Sequence, residues 1–143
     1  MNPRAKQTLE DIISGAVPYP GMWTTIPVTL ESYARGDILM STMANETHLN
    51  AFGGVHGGFA AAALDTALGL AVFTSLEEAS ARHTTVDLGI KIVKRIPLDT
   101  PLLVDTSLVH LSRSVGVSEG VIRDPDGVVY AHGTTTCLIK RAA

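Results

Sequence analysis

The sequence predicts an α+β fold, an antiparallel sheet of five to six strands curled around one long helix, and three observations predict it. The run Gly57 to Leu76, GGFAAAALDTALGLAVFTSL, is apolar around most of a helical wheel rather than along one stripe, so the helix should be buried on all sides. Strand-like runs precede it and alternating strand-like runs follow it. The βα units of a parallel sheet are missing, so a single helix must be enclosed by strands that pair with one another.

Residues 3–14 place Leu9, Ile12 and Ile13 at helical spacing before Gly15, and Pro18, Pro20 and Gly21 then stop any helix. Ile26 to Tyr33 and Asp37 to Met43 are β-type runs joined by Ala34-Arg35-Gly36, a connection short enough for a hairpin. The loop 44–56 leads into the long helix. After it, Thr84, Val86, Leu88, Ile90 and Ile92 alternate with Thr85, Asp87, Gly89 and Lys91, which predicts a strand with one buried face that ends at Pro97 and Pro101. Leu102 to Leu111 and Val115 to Arg123 form two more strands around Ser112-Arg113-Ser114. Asp124-Pro125-Asp126-Gly127 is a type I turn sequence, and Val128 to Lys140 closes the sheet. With 143 residues, no repeat and no linker, the chain reads as one domain, residues 1–143, with a core of about 24–140.

Only 17% of the residues are charged and 45% are hydrophobic, against roughly 25% charged in ordinary soluble domains. More surface than usual should be hidden from water, and association with further copies of the chain is the simplest way. The net charge of −3 comes with no Lys/Arg-rich face and no interleaved aromatic set, which argues against a nucleic-acid partner. The lone Cys137 rules out an internal disulfide and fits a reducing compartment, and the N-terminal stretch lacks the continuous apolar core of a signal peptide, so a cytoplasmic location is expected. Phe59 to Leu76 is borderline in length for a membrane span, carries Asp65 and is largely alanine and small residues; a soluble central helix fits better, and no membrane partner is expected.

The most informative segment is Asn50-Ala-Phe-Gly53-Gly54-Val-His56-Gly57-Gly58 and the helix it opens. Asp65 sits in the middle of that apolar helix. A carboxylate is almost never fully buried unless it is paired, hydrogen-bonded or facing a wet cavity, so the helix should border a polar pocket there. The glycines at the helix start let another molecule approach the backbone, and the first turn offers unpaired N–H groups at the positive end of the helix dipole. Such a donor can hold a polarised carbonyl, while a nearby carboxylate can act on its carbon directly or through water. Gly57 and Asp65 lie eight residues apart, roughly 12 Å along the axis, too far to serve one carbonyl comfortably. Two antiparallel helices related by a two-fold axis would bring Gly57 of one subunit opposite Asp65 of the other.

The pattern Asn50-x-x-Gly53-x-x-His56-Gly57-Gly58, followed by Asp65 seven residues after the last glycine, resembles the hotdog-fold acyl-CoA thioesterases, in particular those of the phenylacetate-pathway type. The similarity extends through Thr84-Thr85-Val-Asp-Leu, Lys94-Arg95-Ile-Pro97 and Asp-Pro-Asp-Gly, over roughly residues 24–139. It implies a hotdog fold, hydrolysis of an acyl- or aryl-acyl-CoA to free acid and CoA, a dimer as the minimal active unit, and two dimers associating into a tetramer. Carried over by motif position, Asp65 is the base or nucleophile and the Gly57 N–H the oxyanion donor, with Asn50 and His56 as helpers. Thr85 takes the hydroxyl position beside the carboxylate, with Thr84 one residue out of register. CoA is part of the substrate, so no resident cofactor is implied. Its phosphates call for basic side chains, for which Arg113, then Lys94 and Arg95, are candidates.

Each of these residues also has a plainer reading. Asp65 could be a solvent-facing or ion-paired residue, His56 a cap or loop brace, Asn50 a turn residue, Thr85 an ordinary strand residue, and Arg113 a solvated hairpin side chain. Phe59, Leu64 and Leu68 are candidates to line an apolar acyl pocket. His48, His83, His110 and His132 show no metal-ligand spacing, and no metal is expected. Three rival functions are weighed: a hotdog dehydratase or hydratase, whose His and acid settings do not match the Gly-Gly helix start followed by Asp65; a CoA-thioester binding module without hydrolysis; and a serine hydrolase in which Gly116-x-Ser118-x-Gly120 acts as a nucleophile elbow. The serine hydrolase requires Ser118 on a strand-to-helix turn.

Overall fold

The computed structural model describes residues 1–142. Helices α1 (Pro3–Ser14) and α2 (Gly21–Thr25) precede strands β1 (Val28–Ala34) and β2 (Asp37–Thr42), then the central helix α3 (Gly57–Ser75) and strands β3 (Arg82–Ile92), β4 (Leu102–Leu111), β5 (Val115–Arg123) and β6 (Val129–Lys140). The six strands form one antiparallel sheet in the order β1-β2-β4-β5-β6-β3, and α3 packs against β2 through β6. This is the curled α+β arrangement expected from the sequence pattern, and the hotdog that the resemblance implies.

Local chemistry explains the elements. In α1 the Asn2 side chain accepts from the Ala5 N–H at 2.8 Å, Ala5, Leu9 and Ile12 form the buried face, and Gly15 closes the helix at φ 75°. Asn2 Nδ2 also donates to the Leu76 carbonyl at 2.6 Å, tying α1 to the C-terminal end of α3. The Arg35-Gly36 turn joins β1 to β2 with Gly36 at φ +83°, where a Cβ would also press on Leu108 and Ser75 at 3.1 Å. At the β5–β6 turn, Gly127 N–H donates to the Asp124 carbonyl at 3.1 Å, as the type I reading requires, while Asp124 Oδ1 takes the Val128 N–H. One element was not foreseen. The Pro18-x-Pro20-Gly21 run, read as a helix stop, instead starts α2 with Pro20 as its N-cap, because proline fits a helix N-terminus as well as it breaks an interior.

Two expectations about burial need correction. Within one protomer α3 is not buried all round: Phe59, Ala60, Ala63, Leu64, Ala67, Leu68, Ala71 and Val72 face the sheet, whereas Ala61, Ala62, Asp65, Thr66, Leu70 and Phe73 are only half-buried. The sheet covers one side, and a stripe of mostly small residues is left open. The alternation read through Thr84 to Ile92 also breaks. A β-bulge lies between Thr85 and Asp87, so Thr85 pairs with inward-facing Cys137 before it, and Leu88 and Ile90 pair with inward-facing Thr135 and Gly133 after it. Val86 is 54% exposed rather than buried. Because β3 is an edge strand, even its inward side chains are poorly covered, with Ile92 at 48% exposure.

Candidate active site

The loop before α3 is built by side-chain-to-backbone bonds. Asn50 Oδ1 accepts from the N–H groups of Phe52 (2.8 Å) and Gly54 (3.1 Å), the Asn50 N–H donates to the Gly54 carbonyl at 2.7 Å, and Gly53 takes φ +76°. The amide oxygen of Asn50 is thus committed to bracing the turn. His56 caps the helix: its Nδ1 accepts from the Gly58 N–H at 2.8 Å, and its carbonyl accepts from the Phe59 N–H at 2.9 Å. With Nδ1 accepting, the ring hydrogen belongs on Nε2. These two bonds use the second and third N–H groups of α3. The Gly57 N–H has no protein acceptor among the described residues and is free for a ligand.

Two turns further, Asp65 is half-buried on the open stripe. The Thr85 hydroxyl donates to Asp65 Oδ1 at 3.0 Å, and Cys137 Sγ lies 3.8 Å behind the same hydroxyl. Since Thr85 has one hydrogen and gives it to the carboxylate, the thiol is placed to donate to Thr85. Burial pushes the Cys137 thiol above its ordinary pKa, and the negative charge of Asp65 adds to this. Asp65 Oδ2 has no protein partner among the described residues.

A cleft of about 290 Å³ opens beside Asp65, lined by Trp23, Thr66, Gly69, Leu70, His83 and Thr85. His83 and Trp23 were not singled out from the sequence. The signal for His83 was available: it lies two residues before Thr85 on the same strand and therefore on the same face. Its burial lowers its pKa below the ordinary histidine value, with the negative charge of Asp65 opposing the shift.

The basic candidates separate. Arg95 donates to the Gly53 carbonyl at 3.1 Å and lines a cleft of about 320 Å³ with Asn50, His56 and Ile92, while Lys94 sits over the Tyr130 ring at 5.2 Å. Arg113 lies with Ser75, Arg35 and Arg141 at the C-terminal end of α3, roughly 27 Å along the helix from Gly57. Within one protomer it does not join the glycine loop. Leu64 and Leu68 are fully buried beneath Gly133 of β6 and line none of these clefts; Phe59 borders a separate cleft with His48, Thr25 and Ile26. His48 is a structural residue: Nδ1 accepts from the Asn45 N–H and Nε2 donates to the Thr25 carbonyl at 2.8 Å.

The serine-hydrolase reading fails on geometry. Ser118 is 0% exposed inside β5, and its hydroxyl is spent on the Leu68 carbonyl at 2.9 Å. It stands on no strand-to-helix turn.

A curled antiparallel sheet around a helix that carries a hydroxyl-braced carboxylate and a free N-terminal amide defines a hotdog protein. The family profile described as Thioesterase superfamily matches residues 52–131, which span both of those parts. A Halobacterium salinarum protein that carries an esterase name is 31% identical over 131 residues, 89% of this chain and 85% of that one. The chain therefore belongs to the thioesterase superfamily, whose members are thioester hydrolases. Among solved structures, a phenylacetic acid degradation-related thioesterase from Ralstonia eutropha superposes with a TM-score of 0.79 at 24% identity, covering 90% of this chain and 97% of that one. A Streptococcus pneumoniae thioesterase crystallised with coenzyme A gives a TM-score of 0.72 at 24% identity, over 80% and 88% of the two chains. Both share the fold.

Proposed function

We propose that the protein hydrolyses an acyl-CoA thioester, with the Asp65 carboxylate acting on the thioester carbon, directly or through water, and the Gly57 N–H of a second subunit binding the carbonyl oxygen. The observation that carries the reading is the pairing of a half-buried, Thr85-bound Asp65 with a Gly57 amide left unpaired by the His56 cap. The Thr85 hydroxyl holds one carboxylate oxygen and leaves the other toward the cleft. As the oxyanion forms, a preorganised amide at a helix N-terminus stabilises charge with little reorganisation. The leaving thiolate departs with CoA, and the chemistry asks for no resident cofactor. Binding of coenzyme A by the Streptococcus pneumoniae relative agrees with a CoA-linked substrate, and Arg95 and Lys94 are the basic groups near the glycine loop that could meet its phosphates.

The two-subunit site is supported by surfaces that a lone protomer leaves uncovered. Edge strand β3 and the residue after it expose Val86, Leu88, Ile92 and Val93 at 37–65%, and the open stripe of α3 carries Ala61, Ala62 and Thr66, small residues that allow close approach around Asp65. Edge-to-edge pairing of β3 with its copy would set two α3 helices antiparallel. The test follows release of the CoA thiol with a chromogenic reagent across straight-chain, aryl and phenylacetyl thioesters. Wild type should turn over, and Asp65→Asn should lose two to four orders of magnitude while still binding ligand. No release on the whole panel, or equal release by both proteins, would reject the assignment in favour of a binding protein or another nucleophile. Light scattering on the eluting peak should give a dimer or larger.

A further inference from the structure

The cleft beside Asp65 contains more polar capacity than thioester hydrolysis uses. The bulge at Val86 turns His83 as well as Thr85 toward α3, and the imidazole lies against Gly69, one turn after Asp65: a Cβ there would sit in ordinary contact, 3.5 Å from His83 Nε2. Phe73 backs the ring at 5.9 Å between centroids and an interplanar angle of 31°. Neither ring nitrogen of His83 has a hydrogen-bond partner among the described residues. Trp23, 7% exposed, lines the same cleft, and its indole N–H has no protein acceptor either. Thr66 is not a third such group, because its hydroxyl donates to the Ala62 carbonyl at 3.0 Å.

A purely apolar acyl group entering this cleft would strip water from His83 and return nothing, a loss that disfavours it against a ligand able to bond the ring. Burial keeps the imidazole neutral near pH 7, so it can both donate and accept. Its position over Gly69 lies roughly 6 Å along the helix from Asp65. Allowing for one hydrogen bond, that distance corresponds to an atom about three to four bonds beyond the thioester carbon. Resting on the thioesterase reading, we propose that His83 is a specificity-determining residue that hydrogen-bonds a hydroxyl or carbonyl on a short acyl chain, so that the cleft selects such acyl groups over their unsubstituted counterparts.

The experiment compares matched pairs, 3-hydroxybutyryl-CoA with butyryl-CoA and 4-oxopentanoyl-CoA with pentanoyl-CoA, in wild type and in His83→Phe and His83→Gln. Wild type should favour the substituted member of at least one pair by about tenfold or more in kcat/KM, the order expected when a buried polar group is left unpaired by the poorer substrate. His83→Phe should bring the ratio near one, and His83→Gln should restore part of the preference. A wild-type ratio near one for both pairs, or a ratio that His83→Phe leaves unchanged, overturns the assignment. Trp23, the only tryptophan in the chain, gives a second readout that needs no turnover. If no thioester is hydrolysed, the hydrolase reading falls by itself, and Trp23 fluorescence titrated with 3-hydroxybutyrate and butyrate still decides. Tighter binding of the hydroxy acid that is lost in His83→Phe supports the assignment, and equal binding rejects it.

Discussion

Thr85 reaches Asp65 at 3.0 Å only because the strand that carries it skips a residue: the bulge at Val86 leaves Thr85 facing the helix while Leu88 and Ile90 stay inward beyond it. A bond to an ionised acceptor is typically worth about 1.5–3 kcal/mol, and partial exposure places this one toward the lower end. Thr85→Val keeps the shape and removes the donor, so kcat/KM should fall by roughly one order of magnitude. Thr85→Ser should retain most activity. A Val variant as active as wild type would show that the hydroxyl does not orient the carboxylate. Thr84→Val is the matched control, since Thr84 faces away from the helix and its loss should leave hydrolysis unchanged.

That bond also marks the limit of what the sequence made legible. The order of elements and the boundaries of α1, β4 and β5 follow from period and turn chemistry, because those signals are local. The helix start was readable from His56-Gly57-Gly58, where a cap and two glycines coincide. Whether Thr84 or Thr85 meets Asp65 was not readable, since a bulge reverses the phase of a strand without leaving a residue-type signature, and Val86 fits either face. The open stripe on α3 was hidden for a different reason: alanine and glycine serve a buried surface and a close helix contact equally well, so composition alone cannot tell them apart. His83 was passed over because histidines were weighed for metal spacing rather than for their place on the strand.

His56 divides its role between fold and site. Removing its ring frees the Gly58 N–H and should lower stability by about 1 kcal/mol, as loss of a helix cap generally does. His56→Asn, which keeps a capping acceptor, should recover most of the melting temperature. If hydrolysis returns with it, the histidine acts by shaping the glycine turn; if stability recovers and activity does not, the ring itself touches the thioester.

His83 should leave a mark on stability as well as specificity. Its pKa is lowered in the fold, so below the ordinary histidine value the unfolded chain binds more protons than the native one. Native stability therefore falls as pH drops from about 6.5 toward the depressed value and levels off below it. His83→Gln should flatten this part of the stability profile. In urea midpoints measured for both proteins between pH 7.5 and 4.5, wild type should lose stability relative to His83→Gln toward the acid end; a constant offset across the range would mean that His83 does not titrate differently on folding.

Ser118 supplies a negative control with a physical basis. Its hydroxyl adds a second hydrogen bond to the Leu68 carbonyl of α3 inside the core, so Ser118→Ala should cost stability on the order of 0.5–1.5 kcal/mol while leaving kcat of the folded protein nearly intact. A serine-directed phosphonate should have no effect on either measure.

Gly57 offers the sharpest separation of backbone from side chain. Proline at this position would delete the proposed oxyanion donor, and the local geometry accepts it: Gly57 is the first residue of α3, where proline is favoured, and His56 stands at φ −62° and ψ 136°, a conformation suited to the residue before a proline. The neighbour in the way is Ile92 Cδ1, which lies 3.2 Å from the position of a Cβ and is the end of a flexible side chain on the exposed edge strand. Gly57→Ala meets the same neighbour but keeps the N–H. Both variants should fold with melting temperatures within a few degrees of wild type. Alanine should retain most of the hydrolysis, whereas proline should lose about 10²–10³ in kcat, the usual consequence of removing one oxyanion donor. Equal activity in the two would move the oxyanion site away from this helix start, because the only chemical difference they share at the carbonyl is one hydrogen-bond donor.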